Sequence, residues 1–375
     1  MQDVRSKTYS VFNALGIVLR KKLTMAIYRL PGEKDINLIV QKGPNLIELT
    51  DLSHIMNHSG FLVAPFLTEN NHKTYFIQPD LLYRNTLSSM QYKSLKSVTP
   101  TFFNGFLKQN PNETDKDDFM EQIRVTIDHI KTGEYDKVVL SRIKIIPGNY
   151  TSDLVSIFRL LCESYQNSFV YLFHFMGKCW IGATPEPLLC TSGDKLYTVS
   201  LAGTRSYSEE NTLISNWNHK EKVEQEYVTE YIKKILSENQ IKNYTERGPY
   251  AKKAGKLLHL RTDFFFTGEE AGNKLPGLIN TLHPTSAVCG IPMEKSLNFI
   301  RSLEKHDREF YTGFLGPVGL NGDMQLYVNL RCMQVLENQL VLYVGGGITA
   351  ESVPEDEWDE TEIKAETLLS ILQQI

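Results

Sequence analysis

The chain has 375 residues, 41% hydrophobic and 22% charged, a balance that predicts a globular protein with a substantial core rather than a disordered or membrane-embedded one. Its formal net charge of -4 supplies no basic field for a phosphate backbone, and no arginine and aromatic block suggests stacked bases, so nucleic acid is not an expected partner. The opening MQDVRSKTYSVFNALG has an early acid and no apolar run long enough for a signal peptide or a membrane span, which predicts a cytoplasmic protein without membrane attachment. Cys162, Cys179, Cys190, Cys289 and Cys332 are odd in number and lack CxxC spacing, so they read as small core residues rather than disulfides or zinc ligands.

In chain order, residues 1–105 hold short apolar runs (MAIYRL, INLIV, FLVAPFL) between turn residues, which predicts an N-terminal part of strands and helices packed on the rest. Residues 106–375 form the second, larger part, which the family resemblance given below implies is the catalytic region. Phe119, Ile123, Ile127 and Ile130 recur at helical spacing until Gly133. KVVLSRIKIIP, SFVYLFHF, KCWIGAT, PLLCT and KLYTVSLAG read as a meander of antiparallel strands. A helix is expected over 221–236, followed by a polar connection to HLRTDFFF and the turn-rich LINTLHPTSAVCGIP. FLGPVGLNGDMQLYVNLRCMQV and ENQLVLYVGGG make a second strand region with a turn at Asn321-Gly322. The last segment is helical, with Ser352 and Glu355 fitting a capping box around Pro354. The fold class is therefore α+β, with large, mostly antiparallel sheets flanked by helices.

Charge appears where core should be. On a helical wheel of ~100° per residue, Glu221 and Glu224 share a stripe with Val228, Ile232 and Ile235, and Glu357, Glu360 and Lys364 share one with Leu368 and Ile371. A helix N-terminus also favours acids, but two inward acid pairs imply neutralising partners or a divalent cation. Oxygen-only ligands in pairs suit magnesium. The Gly345-Gly346-Gly347 run after LVLYV is either an anion-approaching loop or a bulge. Arg331 could grip a carboxylate, and Tyr311 could donate a hydrogen bond or fill core. Lys137 leads a strand, as an edge lysine or a buried base, while Glu186 is aimed by the flanking prolines of GATPEP.

These blocks, with LAGTRS, HKEKVEQEYV, HLRT, LHPTSAVCGIP, REFYTGFLGPVG, VGGGITAESVPEDEW and DETEIKAE, resemble in order the chorismate-binding enzymes, a family that includes isochorismate, salicylate, anthranilate and aminodeoxychorismate synthases. The resemblance covers about residues 115 to 370 and implies the anthranilate synthase component I-like fold. It implies that Lys137 deprotonates the attacking water and Glu186 protonates the departing C4 hydroxyl of chorismate. Glu221 and Glu360 become the nearest magnesium ligands, assisted by Glu224 and Glu357. Arg331, Tyr311 and the amides near Gly346 and Gly347 would hold the enolpyruvyl carboxylate, with Lys364 near the metal-bound carboxylate and His259 and Thr204 lining the pocket.

Within the family, EYVTEYIKK, Leu201, Ala202, Ala287 and the tryptophan of DEW resemble isochorismate synthases, an isomerase branch with no obligate amidotransferase partner. Salicylate synthesis, and amination as in anthranilate or aminodeoxychorismate synthase component I, are the alternatives on the same substrate. A non-catalytic anion-binding module is the alternative of another class.

Overall fold

Every residue of strand Phe169–Phe175 is buried, which an alternating amphipathic strand cannot achieve, because both of its faces are covered. Val170 and Leu172 point into a core shared with helices Val11–Arg20 and Leu154–Ser164. Phe169, Tyr171, Phe173 and Phe175 point the other way, into an aromatic core with a second sheet. There Phe169 stacks on Tyr327 with ring centroids 4.3 Å apart.

The computed structural model describes residues 7–53, 55–68, 72–99, 105–255 and 257–375, so the first six residues, which entered the reading of the N-terminus, lie outside the described residues. Among the described residues the strands form one eleven-stranded and one nine-stranded sheet, and the pairings are antiparallel. Helices His219–Glu238 and Leu275–Leu282 cover the outer face of the smaller sheet. The expected α+β class is the observed one. Strand Thr24–Arg29 pairs with Phe169–Phe175, and Gly60–Ala64 pairs with Phe314–Leu320, so the segment before residue 105 contributes strands to both sheets.

Several local expectations are corrected. The meander is interrupted by helix Leu154–Ser164, whose buried Leu154, Ile157, Phe158 and Leu161 have helical spacing. Strand Lys137–Pro147 pairs with Gln339–Ile348, far along the chain, instead of with a neighbour in sequence. Lys178–Thr184 belongs to the larger sheet and Pro187–Ser192 to the smaller, so the chain changes sheets at Pro185 and Glu186. It changes back at residues 329–331, which breaks the run read as one strand through Arg331. The polar connection after residue 241 is largely an exposed edge strand, Thr245–Ala254. The capping box at the last helix, Pro354–Leu372, does not form. Val353 is the cap, and the Ser352 hydroxyl instead accepts from the Thr349 N–H at 3.0 Å. All five cysteines are buried and unpaired, and no described helix is long and apolar enough to cross a membrane.

Candidate active site

The two sheet crossings are tied side by side. Val328 N donates to Glu186 O at 2.9 Å, Ala183 N to Arg331 O at 3.1 Å, and the Thr184 hydroxyl to Val328 O at 2.6 Å. With Pro185 and Pro187 fixing the backbone on either side, the Glu186 side chain has nowhere to swing, and it is 4% exposed. Burial raises its pKa to about 7, against the opposing pull of Lys137, Arg331, Arg261 and Lys364.

Lys137 is also inside, at 1% exposure, because its strand lies between Gln339–Ile348 and the short strand Gly290–Ile291. It is not an edge lysine. Its Nζ stands 2.9 Å from Glu224 Oε1.

The three glycines are part of strand Gln339–Ile348, paired with Ser141, Leu140 and Val139, rather than a loop. What they provide is room. A Cβ on Gly347 would lie 2.5 Å from Glu224 Oε1 and 2.6 Å from Lys137 Cε, and one on Gly346 would lie 3.3 Å from Glu357 Oε2 and 3.8 Å from Glu360 Oε1. Gly347→Ala is therefore expected to dislodge Lys137 and Glu224 and cut kcat by ~10²-fold in a folded protein. Wild-type turnover in that variant would show the room to be unnecessary.

The acids face inward as the wheel predicts, and each meets a base. Glu221 pairs with Arg205 at 2.9 Å, Glu224 with Lys137, Glu357 with Lys220 in a close contact, and Glu360 with Lys364 at 2.5 Å. Glu221 also accepts from the Asn218 N–H at 2.9 Å, which ties it to the start of its helix, whereas Glu224 lies on the pocket wall. Burial and the charge of Glu360 push the Glu357 carboxyl up. Burial acts against ionisation of Glu360 as well, yet Lys364, Lys220 and Arg331 hold it below the usual carboxylate range. Among the described residues no three acidic, histidine or cysteine side chains enclose a common point that could hold a metal. Within this acid cluster one buried atom nevertheless has no hydrogen-bond partner among the described residues: Glu357 is 1% exposed, and the atom is its Oε2.

His259 Nδ1 donates to Gly203 O at 2.9 Å and lies 3.3 Å from the Thr204 hydroxyl, while its Nε2 is 3.5 Å from Arg331. Burial and then Arg331 lower its pKa to about 3, so the imidazole is neutral. Burial likewise raises the Tyr311 phenol, which stays protonated and stacks on Tyr343. Lys364 donates to Gly345 O at 2.8 Å. One pocket brings together Glu186, Thr204, Glu224, His259, Ala287, Tyr311, Arg331, Gly346, Gly347 and Lys364. Lys137, Glu221, Glu357 and Glu360 stand around it rather than on its wall.

Sequence reasoning missed the basic partners Arg205 and Lys220, and also Arg308. The last is buried against Glu304 and donates to Val139 O and Val288 O at 2.8 Å behind the pocket. Lys220 had one signal, a cation in the first turn of a helix, where the dipole disfavours it.

Residues 47–373 match the family model described as chorismate binding enzyme. The chain belongs to that family. Among chorismate-binding enzymes, the isochorismate synthase EntC of Escherichia coli is 34% identical over 252 residues, 64% of this chain and 63% of that protein. The isochorismate synthase MenF of Bacillus subtilis is 29% identical over 268 residues, 69% of this chain and 56% of that protein. The matched stretch thus spans less than two thirds of either relative's own length. A solved structure described as a putative 2,3-dihydroxybenzoate-specific isochorismate synthase, DhbC, from Bacillus anthracis superposes with a TM-score of 0.77 at 25% identity, covering 96% of this chain and 99% of that one. Anthranilate synthase component I of Streptococcus pneumoniae, 16% identical with a TM-score of 0.65 over 98% of this chain and 93% of its own, shares the fold.

Proposed function

We propose that the protein is a magnesium-dependent isochorismate synthase, which adds water at C2 of chorismate and expels the C4 hydroxyl while both ring double bonds shift. The observation that carries this reading is the buried Glu186, whose carboxyl titrates near neutrality at the edge of a pocket rich in anion-binding groups. The names of the relatives above support the same reaction.

Each step falls to a residue whose surroundings suit it. Protonated Glu186 donates to the departing hydroxyl, which leaves as water. Lys137, as the neutral amine, takes the proton of the attacking water and becomes an ammonium, which Glu224 beside it stabilises. Arg331 and the neutral Tyr311 phenol hold the enolpyruvyl carboxylate, Arg331 through its planar fork. His259 is neutral and lines the wall with Thr204 without adding a second positive charge. Lys364, fixed by Gly345 O, lies by the ring carboxylate.

Magnesium fits these residues because the dry Glu357 Oε2 and Glu360 Oε1 both approach Gly346, and such an ion needs few carboxylates when substrate and waters complete its shell. Glu357 and Glu360 would hold it together with substrate and waters, assisted by Glu224 and Glu221. When bound, it neutralises and orients the ring carboxylate.

The reading also favours a cytoplasmic enzyme, in keeping with five unpaired thiols, and one without an amidotransferase, since water and not ammonia is the nucleophile. The test is incubation with chorismate and magnesium, with and without ammonia. Isochorismate should be the product in both, and activity should vanish in excess EDTA and in Glu360→Ala. Anthranilate formed with ammonia, salicylate as main product, or full activity in EDTA would each overturn part of the proposal.

Ala287 lines the pocket beside Val288, whose carbonyl is held by Arg308. A threonine at 287 adds bulk and a hydroxyl that favours the folded-over enolpyruvyl conformer from which pyruvate is lost. Ala287→Thr should therefore shift product toward salicylate and pyruvate by about tenfold, the equivalent of ~1.4 kcal/mol. A uniform loss of activity with no salicylate would mean that Ala287 only fills space.

A further inference from the structure

We propose that Lys220 is a displaceable counter-ion, which occupies Glu357 while the cation is absent and has to swing out when a divalent cation binds, so that this lysine sets the affinity for the metal. The inference rests on the magnesium reading above.

The four bases that neutralise the acids are not equivalent. Lys137 is enclosed, Lys364 is also anchored to Gly345 O, and Arg205 is also anchored to Asn216 O. Lys220 is 26% exposed, and Glu357 is its hydrogen-bond partner among the described residues. Its position is unfavourable for the helix, because the first turn of His219–Glu238 carries the positive end of the dipole. The lysine is therefore retained there by Glu357, not by its own helix. Next to it, His219 and Lys222 are exposed, so a flexible four-carbon stem has water to retreat into.

Glu357 is only half satisfied by this arrangement. Its Oε1 takes the ammonium, while its Oε2 is buried, unpartnered and directed to the space over Gly346 that Glu360 Oε1 also borders. A buried carboxylate oxygen without a partner is costly. A divalent ion can engage both acids at once, which one ammonium at Oε1 does not. Exchange of the singly charged ammonium for a divalent ion leaves the cluster one charge more positive, ready for an anionic substrate, and satisfies the remaining oxygen. Until that exchange, only molecules with the lysine withdrawn are competent to bind, and the apparent Kd exceeds the intrinsic one by the inverse of their fraction.

Calorimetric titration of the full chain with magnesium chloride alone, without substrate, tests this. Lys220→Gln should bind magnesium more tightly by about tenfold, as expected for a contact closed in about nine molecules of ten. Lys220→Arg, whose fork can hold both carboxylate oxygens, should bind more weakly than wild type. Lys222→Gln makes the same charge change on the exposed side of the helix and should stay close to wild type. Equal tightening in the two glutamine variants would reduce Lys220 to a general field effect, and wild-type affinity in both Lys220 variants would overturn the counter-ion role. If the glutamine variant does not fold, the arginine variant and Lys222→Gln decide the matter. Glu360→Ala, titrated alongside, separates the two ideas. Binding by wild type that this variant abolishes upholds the metal site whatever the lysine variants do, whereas no binding by any of the proteins removes both the metal reading and the counter-ion.

Discussion

Replacing Glu186 with glutamine is expected to lower kcat by ~10²–10⁴-fold, the usual contribution of a general acid, while leaving a protein that is more stable above neutral pH. The side chain is buried at a crossing between sheets, and the isosteric amide keeps its volume while removing the proton that the proposed mechanism delivers to the C4 hydroxyl. The stability gain follows from linkage. Burial raises the carboxyl from its ordinary 4.5 to about 7 in the folded chain, so between these pH values the native state binds the proton more tightly than the unfolded chain does. That contribution is complete at low pH and is lost as pH rises through about 7, a loss of about 3 kcal/mol that glutamine does not suffer. The wild-type kcat should fall over the same alkaline limb, because the acid ionises. Thermal midpoints at pH 5 and pH 8, with a pH profile of kcat, check both parts. A variant that kept more than half of wild-type kcat would exclude Glu186 as the acid.

The second large effect belongs to Lys137. Lys137→Ala removes the proposed base, with an expected loss of ~10²–10⁴-fold in kcat. It also strands Glu224, which loses its hydrogen-bonding partner 2.9 Å away in a site nearly closed to water, at a cost of ~3 kcal/mol or less. Lys137→Ala combined with Glu224→Gln should recover stability but not turnover, because the amide carries no charge to compensate. Denaturant unfolding of both single variants and the double variant measures the coupling. Turnover restored in the double variant would mean that Lys137 acts only as a counter-ion.

The sequence exposes the site more readily than the path of the chain. Glu221, Glu224, Glu357 and Glu360 could be placed inward because helical geometry is local, with apolar residues on the same stripe to mark the buried side. Lys137 and Glu186 stood out through their flanking blocks. Arg331, by contrast, was read as part of a strand because VNLRCMQV is apolar and β-branched, while its φ of +48° at the return crossing depends on contacts such as Ala183 N to Arg331 O. Thr245–Ala254 escaped notice for the opposite reason: as an edge strand it pairs on one side only and needs no apolar face. The partners of the acids were not legible: the Glu221 carboxylate caps its own helix and meets Arg205, more than a dozen residues away, which no periodicity reveals.

Strand Lys137–Pro147 has a further consequence, for the timing of assembly. Its long hydrogen-bonded neighbour is Gln339–Ile348, so that Val138 is matched with Ile348, and the other neighbour is the two-residue Gly290–Ile291. During synthesis the segment bearing Lys137 has to wait for almost the whole intervening chain before its ladder can close. Loop-closure entropy makes such distant pairing slow. Lys137 is thus set in place only when the glycine strand docks, and a nascent chain stalled before residue 339 has Glu186 and the first acid helix but not the strand that completes the candidate pocket.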